Sequence, residues 1–111
     1  MSINPQKALE DIARCAPLYA QAKAERIYVE EYRKTLKAML MQEAESGGHK
    51  ASVTQEREAY ASPRYAVHLE ALRDAVEAEE TLRWRMVAAE AAVEVWRSME
   101  ASNRRMDRAA A

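Results

Sequence analysis

Between Thr81 and Trp96 the chain reads TLRWRMVAAEAAVEVW, and apolar side chains recur there in two phases. At about 100° per residue, Leu82, Met86, Ala89, Val93 and Trp96 fall within about 40° of one line along a helix. Trp84, Ala88, Ala91 and Val95 form a second stripe about 180–240° away, and Arg83, Glu90, Glu94 and Arg97 fill one flank between the two. This spacing predicts a helix with two faces to bury. Upstream, Tyr65, Leu69, Leu72 and Val76 make a single stripe, with Glu70, Asp74 and Glu77 away from it, so the second face begins near Trp84.

The same reading places the other elements. In INPQKALEDIA, Asn4 can cap a helix and Pro5 occupies its first turn, where the missing N–H costs nothing. Leu9, Ile12, Ala16 and Tyr19 follow at helical spacing; after a phase shift Val29, Tyr32, Leu36 and Met39 resume it. This is one long helix, or two in series, over about residues 5–46. Pro17 predicts a break or kink just before it, because an interior proline removes a backbone hydrogen bond. Gly47 and Gly48 end the element. In the elbow, about residues 47–62, Ser52 with Gln55 three residues later has the capping-box pattern and opens a short helix of about two turns. Ser62-Pro63 then starts a helix that nothing interrupts to about Arg105, a length of roughly 60 Å, followed by a small DRAAA tail.

Two long helices with a structured elbow predict an all-α fold: a long antiparallel helical hairpin forming a single domain over residues 1–111. In that hairpin the alanine-rich half of the first helix (Ala13, Ala16, Ala20, Ala22, Ala24) lies along one stripe of the last. The other stripe, Trp84, Ala88, Ala91 and Val95, needs a further helix. The most economical source is the same segment of a second chain, giving a homodimer of coiled-coil or four-helix-bundle type. The alternative is that the short elbow helix or the segment before Pro17 folds over it.

Composition reinforces the helical reading: Ala, Glu, Arg, Met and Leu dominate, with two glycines and no Phe. Seventeen Lys+Arg against 18 Asp+Glu leave the molecule without the overall charge bias of a nucleic-acid or membrane binder. Cys15 is the single cysteine, and neither an 18-residue apolar run nor a signal-peptide pattern occurs, so a reducing cytoplasm is expected and a membrane is not. Lys23, Arg26, Lys34 and Lys37 line one face of the first helix, with Glu30 placed to pair with Lys34; a solvated face is expected there. The acidic run Glu70, Asp74, Glu77, Glu79 and Glu80 is expected to face solvent as well. Arg97, Arg104, Arg105 and Arg108 gather at the end of the last helix, where cations complement the helix dipole and could also grip phosphate. Glu100 and Asp107 dilute that cluster.

Catalytic constellations are not expected. His68 and Glu70 match neither the Glu-x-x-His of carboxylate-bridged metal bundles nor the His-Glu-x-x-His of zinc proteases, so His68 reads as a surface or partly buried histidine. His49 and Cys15 lack a second ligand or an activating neighbour. The five tyrosines read as core and interface edge. No metal, cofactor or enzyme activity is anticipated.

The segments EREAYASPRY (residues 56 to 65) and LRWRMVAAEAAVEVWRSMEASNR (residues 82 to 104) resemble a pattern of small helical proteins of temperate bacteriophages and prophages. The similarity covers mainly residues 53 to 108, and its specific part is the placement of Trp84, Trp96 and the YASPRY elbow. Such proteins are often encoded beside single-strand annealing recombinases and single-strand binding proteins. The resemblance therefore implies an accessory role in recombination or replication inside a bacterial host, and it brings no catalytic residue. The expected function is a non-enzymatic adaptor that binds itself and a phage or host protein. The alternative is direct binding of single- or double-stranded nucleic acid through Arg97, Arg104, Arg105 and Arg108.

Overall fold

The computed structural model describes residues 2–111, and its elements are α1 (Pro5–Ser46), α2 (Ser52–Ala61) and α3 (Pro63–Ala110). The fold is all-helical: two long helices run antiparallel, joined through the short α2. Asn4 caps α1 as expected, its Oδ1 accepting the Lys7 N–H at 3.1 Å. Gly48 ends α1 at φ 105°, a conformation that favours glycine, and the His49 N–H donates back to the Ala44 carbonyl at 3.0 Å. Ser62 accepts the Arg64 N–H at 3.2 Å, so Ser62-Pro63 does start α3.

Three local expectations are corrected. α1 runs through Pro17 without a break. Pro17 and Ala13, four residues before it, are both exposed, so the carbonyl freed by the proline can be hydrated, while Ala8 and Cys15 are held by burial. Ser52 is the first residue of α2 rather than its cap; Ala51 holds that position without a side-chain bond, and Gln55 donates its amide to the His49 carbonyl at 2.8 Å. The expected C-terminal tail is helical to Ala110.

The contacts divide the described residues into two compact units. One comprises residues 21–79: the second part of α1, all of α2 and the first part of α3. Leu36, Leu40 and Ala59 form its buried core, with Met41 and Tyr65 packed against them, so α2 supplies the lid over the α1–α3 seam. Along α3 the inward positions are Tyr65, His68, Leu72, Ala75 and Glu79, at 3-4-3-4 spacing. Leu69 and Val76, expected inside, are exposed, as are Tyr32 and Met39 at the edge of exposure on α1.

Polar residues occupy seam positions here, against expectation. Glu79 is buried, only 6% exposed, and its carboxylate accepts two bonds from the Arg26 guanidinium, at 2.6 and 3.1 Å. Glu30 pairs with Arg26 at 2.8 Å, and Lys34 turns instead to Glu31 at 2.9 Å. The bonds to Glu79, then those to Glu30, raise the Arg26 pKa further above its ordinary range. Neither the basic face of α1 nor the acidic run of α3 is therefore wholly solvated. A two-pronged guanidinium–carboxylate pair between helices fixes their register as well as their attraction.

The other unit comprises residues 2–20 and 80–111 of the described chain. Its fully covered side chains are small: Ala8, Cys15 and Ala89. Ile12 and Tyr19 on α1, and Leu82, Met86, Val93 and Trp96 on α3, are half-buried around them. Leu9, Ala13, Ala16 and Ala20 are exposed, and of the two expected alanines in the other unit Ala24 is exposed and only Ala22 is half-buried, so the alanine-rich stretch is mostly not the seam. The buried positions on α1 sit one residue away from those that hydrophobicity alone selects.

Candidate interaction surface

Helix α3 in the second of these units carries the site. Its inward stripe is the expected one, Leu82, Met86, Ala89, Val93 and Trp96, each buried or half-buried. The opposite stripe is bare. Trp84 is 58% exposed, Val95 50%, and Ala88 and Ala91 are exposed between them. The segment before Pro17, in the same unit, leaves all four side chains exposed.

The stripe is longer than its four expected members. Met99 and Met106 are both exposed on the same side, and Ser102 lies between them. At 100° per residue Met99, Ser102 and Met106 project within about 60° of Trp84. The spacing continues past Val95 in the sequence, but the polar Ser102 interrupts its apolar pattern there.

The polar surroundings are ordered by local pairs. The Arg83 guanidinium lies over the Trp84 ring at 4.6 Å from its centroid and bonds the Glu80 carboxylate at 2.8 Å. The guanidinium thus lies against one face of the indole, and the side chain as a whole stays more than half exposed. Arg85 reaches Asp11 on α1 at 3.9 Å, and Asp11 also pairs with Arg14. Of the four arginines considered for phosphate, Arg97 is paired with Glu94 at 3.0 Å and Arg105 reaches the Ser102 hydroxyl at 3.5 Å. Arg104 and Arg108 are exposed, one turn apart. The structure thus brings these four to one end of α3 without gathering them into a concave site.

In the unit of residues 21–79, His68 is buried against the Tyr32 ring, centroids 5.8 Å apart, and its Nε2 has no hydrogen-bond partner. It is more deeply placed than the sequence suggests, because the α3 seam passes through it. Lys37 sits 4.9 Å from the Tyr60 ring centroid and 3.4 Å from Glu56. Hydrogen bonding to Tyr60, with the Glu56 charge behind it, raises its pKa. These contacts tie α2 to α1. Among the described residues no three His, Cys, Asp or Glu side chains are grouped to hold a metal ion, and no helix is long and apolar enough to cross a membrane. The chain matches no protein-family model, no curated protein and no solved structure.

Proposed function

We propose that the protein is a non-enzymatic helical adaptor that associates with a second copy of itself through the outer stripe of α3. In this reading Trp84, Ala88, Ala91 and Val95 form the heart of the contact. The observation that carries it is the bare stripe itself: a tryptophan and a valine at least half exposed, aligned with two alanines that let another helix approach closely. Joined pairs then present their elbows and charged ends to another protein. The resemblance to small phage proteins points to a phage or host component of recombination or replication, in a bacterial cytoplasm, as that protein.

Light scattering tests the first step. Wild type is expected to be larger than a single chain at tens of micromolar, and Trp84→Glu to return it to one chain that stays folded, with any loss of helix confined to residues 97–110. A wild type that stays monomeric, with Trp84→Glu equally stable, removes the self-association reading.

A further inference from the structure

The exposed stripe has a repeat that selects its occupant and orientation. Trp84, Val95 and Met106 are spaced by eleven residues, and so are Ala88 and Met99, and Ala91 and Ser102. Eleven residues complete three turns at about 3.67 residues per turn, close to the helix's own period, so this face stays in line over its whole length. A seven-residue repeat drifts by about 20° every seven residues, whereas this one drifts by about 20° only every eleven. All seven side chains are exposed.

From the proposed self-association, on which it rests, we infer that the second copy docks antiparallel, with the two-fold axis passing at Val95. Val95 then meets Val95 of the second copy, Ala91 meets Met99, Ala88 meets Ser102 and Trp84 meets Met106. Each bulky side chain faces a small or flexible one, and the outermost pairs place a thioether beside an indole, a favourable contact. The stripe is complementary to its own reverse.

Charge points the same way. One flank of the stripe holds Arg83, Glu90 and Glu94 in its first half and Arg97, Arg105 and Arg108 in its second, and the Arg83 charge is already met by Glu80 at 2.8 Å, so Glu90 and Glu94 set the sign of the first half. Antiparallel helices about a two-fold axis set the same flank of both copies side by side in reverse, bringing Glu90 and Glu94 near Arg97 of the second copy and Arg108 near Glu80. A parallel pair would lay this flank against the opposite one, where Ala92, Asn103 and Ala110 are uncharged and the one arginine, Arg85, already reaches Asp11 at 3.9 Å.

Helix length gives a third reason. The first turns of α1, through Lys7, Ala8 and Asp11, line a groove of about 620 Å³ with Arg85, Ala88, Ala89 and Ala92. α1 therefore starts opposite that part of α3, and from Arg97 to Ala110 only Glu100 and Ala101 are half-buried, the rest exposed. The unpacked end of a helix frays readily in water. Antiparallel docking about Val95 lays this extension along the Trp84 end of the second copy and supports it.

Cysteine cross-linking in a Cys15→Ala background, using the full chain, tests orientation separately from association. Oxidised Val95→Cys should give a covalent dimer, and a mixture of Ala88→Cys with Ser102→Cys should give the mixed link in excess over either self-link. Ala88→Cys linking mainly to itself means a parallel pair and overturns this inference while leaving self-association standing. A dimer by light scattering that never links through Val95 overturns it too, placing the contact on another face. A monomeric wild type overturns the underlying reading and this inference with it.

Discussion

The two units solve the same problem with different resources. In residues 21–79 three helical segments meet, and large side chains, Leu36 and Leu40, are buried beneath α2. In the unit of residues 2–20 and 80–111 only two segments meet; what they bury fully is Ala8, Cys15 and Ala89, while Trp84, Val95, Met99 and Met106 remain outside. Two helices can cover one stripe of each other. A third is needed before a helix with two apolar faces is satisfied, and one unit has it within the chain while the other does not. The difference teaches where to look for binding: at the place where the count of helices falls short of the count of apolar faces.

The largest expected effect comes from opening the self-sufficient unit. Leu40→Ala removes a nearly enclosed side chain from the contact with Leu36 and Ala59, and about 2–4 kcal/mol of stability should go with it. Chemical denaturation followed by circular dichroism measures this. The loss should be the same at low and high protein concentration, because that core is built within one chain. A loss that vanishes at high concentration would mean that association, not α2, holds this unit together.

Next in size is Trp84→Glu. An aromatic anchor buried in a contact commonly contributes about 2 kcal/mol or more to binding, and a two-fold pair buries Trp84 twice, so the substitution should abolish concentration-dependent stability. Amide exchange sharpens the contrast: protection around Leu36 and Leu40 should be retained, while that of residues 97–110 falls. Equal loss in both units would erase the distinction between them. Leu82→Glu is the contrasting change, since Leu82 faces inward and its replacement should disrupt the α1–α3 seam itself.

What the sequence made legible, and what it hid, follows from the same division. The helix ends were readable because Asn4, Gly48 and Ser62-Pro63 act locally, through bonds to neighbours a few residues away. The two faces of residues 82–96 were readable because their apolar residues are large and regularly placed. The seam upstream was misread by one position: hydrophobicity selects Leu69 and Val76, whereas the helix pair turns His68, Ala75 and Glu79 inward. Continuing the 3-4 spacing backward from Leu82 reaches Glu79, Ala75, Leu72, His68 and Tyr65, so the register was encoded in the strong segment. The polar residues concealed it, since the partner that makes Glu79 tolerable, Arg26, lies 53 residues away. Pro17 was overweighted for a related reason: a local penalty of one lost hydrogen bond was set against tertiary burial that only the structure reveals.

A smaller effect, of opposite sign, is expected at His68. Its Nε2 is buried without a hydrogen-bond partner, and an unsatisfied buried polar atom costs about 1–3 kcal/mol. His68→Phe keeps a ring against Tyr32 and removes that atom, so stability should rise by about 1 kcal/mol. The gain belongs to the self-contained unit and should leave the association state unchanged. Destabilisation instead would show that the imidazole nitrogen is used, by a bound water or another group, and that this unit is less complete than its packing suggests.

The smallest expected effect is at the end of α3. Arg104 and Arg105 are exposed, and Arg105 has only a long contact to the Ser102 hydroxyl, so the double change to Ala removes charge without uncovering apolar surface. Exposed charges contribute little to folding, and melting should be nearly unchanged. In the antiparallel pair these side chains lie beside the outer end of the contact, next to Met106, so association should weaken slightly at low salt and hardly at all near physiological ionic strength. Thermal melts and light scattering across salt concentrations measure both. Binding of a labelled single- or double-stranded DNA, followed by anisotropy, supplies the decisive contrast. Phosphate contacts release counterions and weaken steeply with salt, whereas an apolar helix contact responds much less. Tight, salt-sensitive DNA binding by wild type that disappears in the double variant would move the functional surface from the bare stripe of α3 to its arginine-bearing end.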